Sequence, residues 1–164
     1  MKRLGIVSAG MLLAASVVFA GELPDYKSLC NAIGKIEGWS ATKCEGIKMQ
    51  NPMRGEVVTA QKSFRKNGKL LDLSVISGMQ AMMMWAPYSA GTQIESDEAL
   101  VKIEKIDGFN VGITYDKKSD SGGIVVQIAP NAALVANFEK MSWKEALDLV
   151  EKIDWKRLKS LFGN

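Results

Sequence analysis

Residues 56–76 read E-V-V-T-A-Q-K-S-F-R-K-N-G-K-L-L-D-L-S-V-I, and this stretch decides the fold class. Asn67-Gly68 is a pair suited to a two-residue hairpin turn, whose central positions take positive φ. Folding the chain there sets Phe64 opposite Leu71, Lys62 opposite Leu73 and Ala60 opposite Val75. One face then carries Val58, Ala60, Phe64, Leu71, Leu73 and Val75, interrupted only by Lys62. The other carries Thr59, Gln61, Ser63, Arg65, Asp72 and Ser74. A slip of one residue would exchange the two faces, so turn chemistry and side-chain alternation agree on a single register.

Downstream, Ser77-Gly78-Met79-Gln80 has the spacing of a capping box, with Ser77 as the cap. It opens a short helix from Met79 to Ala86, stopped by Pro87. That helix is apolar nearly all round, so it is either buried or pressed on a partner. A second strand pair runs over about 99–106 and 109–116. A two-residue Asp107-Gly108 turn would set Val111 opposite Glu104 and Ile113 opposite Lys102. A three-residue loop sets Val111 opposite Ile103 and Ile113 opposite Val101; it keeps the apolar sets on one face and is the expected register. Ile124, Val126 and Ile128 mark a further strand after a polar loop over 117–123. Pro130-Asn131 turns the chain into a last strand near 133–138. Ser142 to Glu145 is another capping box, opening a helix with Trp143, Leu147 and Val150 on one face, and Asp154 caps a final short helix. Upstream, Tyr26, Leu29, Cys30 and Ile33 form one helical stripe, with Pro24 suited to the first turn and Gly34 to the stop. The expected architecture is α+β: an antiparallel sheet of about six strands with an N-terminal helix, a short Met-rich helix and two C-terminal helices.

Residues 1–20 read as a secretory signal peptide. Lys2 and Arg3 precede an uncharged run from Leu4 to Phe19, and Val18-Phe19-Ala20 offers a cleavage site. The alternative is an uncleaved anchor, for which the run is at the short limit. Residues 21–164 then form a single domain, periplasmic or secreted, with no membrane span after cleavage. Removing Lys2 and Arg3 from a formal net charge of +3 leaves +1, which supports neither nucleic-acid binding nor strong attraction to anionic membranes. Cys30 and Cys44 are the only cysteines. In an oxidising compartment the pair reads as one disulfide stapling the first helix to the segment after Trp39. Two buried free thiols, or a redox or metal role, are the alternatives.

The chain of 164 residues contains no histidine, which removes Ser-His-Asp and Cys-His nucleophilic sites and histidine general bases. Ser-x-x-Lys occurs at Ser40–Lys43 and Ser63–Lys66, the spacing of Ser/Lys acyl enzymes, but the Lys-Thr-Gly element of that signature is absent. Glu95, Asp97 and Glu98 cluster, as do Asp116 and Asp120; both groups read as solvated loops, and Lys118 breaks the alternating acids of a Ca²⁺ loop. Trp39, Trp143 and Trp155 read as core or cap residues, with an aromatic shelf near the disulfide as the functional alternative. Met79, Met82 and Met83 fall at i, i+3 and i+4, with Met84 and Trp85 beside them. Flexible, polarizable thioethers fill irregular cores or coat adaptable grooves. They are also soft ligands that select Cu(I), although no histidine and no second Met-x-x-Met element accompany them.

The order of elements resembles the PsbP-like sandwich of exported bacterial accessory proteins over about the last two-thirds of the chain. The chain is also similar to a family of small uncharacterised exported bacterial proteins. That likeness rests on Gly38-Trp39, on Lys62-Ser63-Phe64 feeding Leu73-Ser74-Val75-Ile76, on the Met-rich helix ending at Pro87, on Ile106-Asp107-Gly108 and on Ile153-Asp154. It implies no activity, and fold analogy alone supplies none. The expected function is a non-catalytic envelope module, without cofactor, that binds a protein, peptide or apolar ligand through Met79, Met82, Met83, Met84 and Trp85. The alternative is a Cu(I)-binding protein using Met79, Met82 and Met83.

Overall fold

The computed structural model describes residues 22–53 and 55–163; the expected signal peptide over 1–20 lies outside them. The fold is α+β. Strands β1 (Ser40–Ala41), β2 (Glu45–Asn51), β3 (Gly55–Lys66), β4 (Lys69–Ser77), β5 (Ile94–Glu95), β6 (Ala99–Ile106), β7 (Phe109–Asp116), β8 (Ser121–Ala129) and β9 (Ala132–Glu139) form one sheet. Its order is β1-β3-β4-β9-β8-β7-β6-β5, with β2 pairing β3, and these pairings are all antiparallel. Nine strands replace the six expected, because β1, β2 and β5 lie at the edges where the apolar pattern is weak. Helices α1 (Tyr26–Ile33), α3 (Trp143–Val150) and α4 (Trp155–Leu161) cover one face, and α2 (Met79–Ser89) lies on the other.

The β3–β4 hairpin has the expected register, with Phe64 facing Leu71, Lys62 facing Leu73 and Ala60 facing Val75. Asn67 (φ 50°) and Gly68 (φ 79°) supply the two left-handed turn positions. Val58, Ala60, Phe64, Leu71, Leu73 and Val75 are all buried in the main core. Lys62 shares that face and sends its Nζ to the Gly34 carbonyl at the end of α1. Burial pushes its ammonium pKa down, and the nearby Lys35 adds to the shift.

The β6–β7 register corrects the sequence reading. Glu104 faces Val111 and Lys102 faces Ile113, and Asp107 (φ 50°) and Gly108 (φ 86°) make a two-residue turn. The preferred three-residue loop assumed that β6 had one buried face. Instead Val101 and Ile103 pack toward α2, in a second hydrophobic cluster. Lys102 and Glu104 lie at the margin of the main core, where they form an ion pair; the Lys102 ammonium sits 5.1 Å from the Trp143 ring centroid.

Helix α1 begins at Asp25, whose carboxylate accepts the Lys27 and Ser28 amides, and ends at Gly34 with φ 65°. Pro24 therefore precedes the cap rather than entering the first turn. Cys30 and Cys44 form a disulfide with Cα atoms 5.7 Å apart, joining α1 to the connection between β1 and β2. Ser142 and Asp154 cap α3 and α4 as expected, accepting the Glu145 and Arg157 amides.

Ser77 corrects a second expectation. It does not cap α2; the cap position is Gly78, at φ 80°, with no side-chain hydrogen bond. The β3–β4 ladder ends at Thr59–Ile76, and the fully buried Ser77 hydroxyl accepts the next amide, Val58 N–H, at 2.8 Å. Ser77→Ala leaves that amide buried without a partner. We expect a loss of about 1–2 kcal/mol in urea unfolding, with accelerated hydrogen exchange at Val58; an unchanged midpoint would refute this role.

Candidate functional site

Helix α2 crosses the second face of the sheet over β4, β9 and β8. Ala81, Trp85 and Tyr88, at i, i+4 and i+7, form the stripe that seats it against Ile76, Val125, Ala133 and Val135. Tyr88 is the anchor. Its ring lies directly over Gly112 of β7, where a Cβ would meet the ring carbons at 2.4–2.6 Å. The Tyr88 hydroxyl shares a 2.9 Å hydrogen bond with Thr114 Oγ1, and its ring centroid is 5.4 Å from that of Trp85.

This anchor explains why Pro87 does not stop the helix at Ala86. Proline removes one intrahelical bond, a cost of about 3 kcal/mol. Tyr88 burial and its hydroxyl contact oppose that cost, and the Ser89 hydroxyl donates to the Ala86 carbonyl at 2.7 Å. The helix thus continues to Ser89 with Pro87 inside it.

The methionines point the other way. Met79, Met82, Met83 and Met84 are 74%, 59%, 66% and 36% exposed. Met79 and Met83 form the crest, and Met82 lies on a flank. Trp85 is half-buried beneath them. Beside that flank is a predominantly apolar crevice of about 250 Å³. Ala81, Met82, Trp85 and Ala86 line one wall, and Gln127, Ala129, Pro130 and Ala132 the other. The apolar surface continues onto β2, where Ile47 and Met49 pair with Thr59 and Val57 and so share the α2 face of the sheet. Met53, 95% exposed, stands in the turn that follows β2. From Leu73 to Ile94 the chain contains no Asp, Glu, Lys or Arg, so neither the helix nor its approaches bring charge to this surface.

No family model, curated protein or solved structure was found to match the chain.

The other candidate constellations are not assembled. Ser63 and Lys66 are three residues apart on β3, so their side chains leave opposite faces of the sheet. Ser40 and Lys43 are both exposed in and after β1. Glu95 and Glu98 pair with Lys117 and Lys118. The Ser119 and Lys118 amides hold the Asp116 carboxyl below its usual pKa, and Asp120 accepts the Tyr115 hydroxyl at 2.5 Å. Among the described residues, no three His, Cys, Asp or Glu side chains converge on a metal position, and no helix is long and apolar enough to cross a membrane. Trp155 is buried and donates to the Val150 carbonyl at 2.9 Å. Trp143 is half-buried under Lys102. Trp39 lines a hollow of about 490 Å³ with Lys35, Glu37 and Lys62.

Sequence reading missed Tyr88, Gly112 and the Ala129-Pro130 wall. Ending the helix at Pro87 hid the anchor one residue beyond. The charge-free run from Leu73 to Ile94 was the available signal for the whole surface.

Proposed function

We propose that this chain is a non-catalytic, exported module of the bacterial envelope that binds a protein, peptide or apolar ligand on α2. The observation that carries the reading is the exposure of Met79, Met82, Met83 and Met84 on a helix that Ala81, Trp85 and Tyr88 seat against the sheet. Flexible thioethers adapt to a partner, and methionine and aromatic residues with few charges characterise interface centres. The disulfide fits an oxidising compartment. Absence of histidine and separation of Ser63 from Lys66 support a binding role over hydrolysis.

Met83→Asp tests the reading. Its side chain is two-thirds exposed, so the expected change in stability is within about 0.5 kcal/mol. A random peptide library selected on the wild-type protein should yield sequences with apolar anchors that the variant no longer retains. Retention of the selected peptides by folded Met83→Asp would sink the docking reading. The second reading, Cu(I) ligation, draws on the same exposed thioethers of Met79, Met82 and Met83. It requires stoichiometric Cu(I) uptake that a Met79/Met83 double substitution abolishes.

A further inference from the structure

We infer that the occupant of the α2 surface is α2 of a second copy of this chain, docked about a two-fold axis. The inference rests on the docking reading above and names its partner. Three observations select a second copy. First, α2 carries both a projection and a recess. Met79 and Met83 stand on the crest, and the crevice of about 250 Å³ opens beside Met82 on the same helix. In a two-fold contact, residue i of one copy meets j of the other and j meets i. One helix bearing both features can therefore fill its partner's crevice while its own is filled.

Second, a two-fold axis forces every charge near it to face its own copy. The segment from Leu73 to Ile94 contains no charged residue, so self-docking meets no like-charge repulsion there. A helix resting on a lipid surface instead carries a Lys- and Arg-rich polar face, which α2 lacks. Third, the crevice is below the roughly 300–1,000 Å³ of small-molecule sites and matches a recess for a side chain. Ile47 and Met49 extend the apolar area on the same side; a stable contact buries roughly 800 Å² per partner.

Sedimentation equilibrium of the oxidised chain, from sub-micromolar to sub-millimolar concentration, tests this. We expect a monomer–dimer equilibrium whose constant is unchanged between low and high sodium chloride. Met83→Asp should weaken it by roughly tenfold or more, because each dimer then buries two like charges. Ala86→Arg, at the exposed crevice wall, serves the same purpose if Met83→Asp unfolds. Lys156→Glu on α4 should leave the constant unaltered. Four outcomes would overturn the proposal. A monomer throughout that binds library peptides in the wild type and not in Met83→Asp would remove the second copy and keep the docking reading. A monomer that instead co-sediments with neutral phosphatidylcholine vesicles would assign the face to lipid. A monomer that binds neither would remove both readings, and a dimer indifferent to both variants would place the contact elsewhere.

Discussion

Reducing the Cys30–Cys44 disulfide is expected to lower the unfolding free energy by about 3 kcal/mol, the chain-entropy value for a loop of roughly 15 residues. The bridge closes a sequence separation of 14 and leaves no cysteine free among the described residues. Its local consequence follows from what else holds α1. The helix has eight residues, below the length that is stable alone. Leu29, Ala32 and Ile33 pack it into the main core, and its Tyr26 side chain sits against Gly46 of β2, where a Cβ would approach Tyr26 Cβ at 2.7 Å. Without the bridge, α1, β2 and the connection between them depend on those contacts alone. Urea unfolding of the oxidised and the reduced chain measures the difference; the midpoint should fall, and thermal unfolding should drop by roughly 6–12 °C. Hydrogen exchange should accelerate first over α1 and β2, while the β4–β9–β8 centre of the sheet stays protected. A midpoint shift corresponding to less than about 1 kcal/mol would show that the reduced unfolded chain is already restricted in this region.

The two hairpins show how far local sequence carries the fold. At Asn67-Gly68 the turn residues and the apolar alternation agree, because β3 and β4 bury one consistent set of side chains against α1, α3 and α4. At Asp107-Gly108 they disagree. The apolar set Val101 and Ile103 points to a three-residue loop, whereas Asp107-Gly108 makes a two-residue turn. That set is buried too, under α2 on the opposite face. Nothing within residues 99–116 reveals a second covering layer, so the local pattern was read against the wrong face. Strand β2 escaped for a related reason. Ile47 and Met49 face outward into the open, while Lys48 reaches under the sheet to Glu56 at 2.9 Å and to the Leu23 carbonyl at 2.7 Å. Such a strand has little buried periodicity to read. The Met-rich helix was legible as apolar all round, which admits a core or an interface. Only the seat, Tyr88 over Gly112, assigns the methionines to the outside.

That seat defines the second large effect: Gly112→Val should unseat α2 while sparing the main core. Gly112 lies in β7 opposite Val125 of β8 and Ile103 of β6. A Cβ there would meet Tyr88 Cγ, Cδ1 and Cδ2 at 2.4–2.6 Å. These atoms belong to the body of the ring, so no small rotation of a flexible end relieves the clash, and Tyr88 must leave its site. Overpacking of this kind costs about 1–3 kcal/mol, and loss of the Tyr88–Thr114 hydrogen bond adds about 1 kcal/mol. The Val111 and Ile113 side chains face the other side of the sheet, in the main core, so the β3–β4–β9 interior should persist. Native-state hydrogen exchange should then show protection lost over 79–89 and retained in β3 and β4. A double-mutant cycle separates this mechanism from a general loss of strand stability. With Tyr88→Ala already in place, the ring is absent and the added valine enters vacated space, so Gly112→Val should cost much less than it does alone. Additive costs would refute the direct contact between ring and strand. Self-association should fail in the single Gly112→Val variant although Met79, Met82, Met83 and Met84 remain. On the proposed docking, the methionine surface that Ala81, Trp85 and Tyr88 seat loses its place when the Tyr88 ring is displaced.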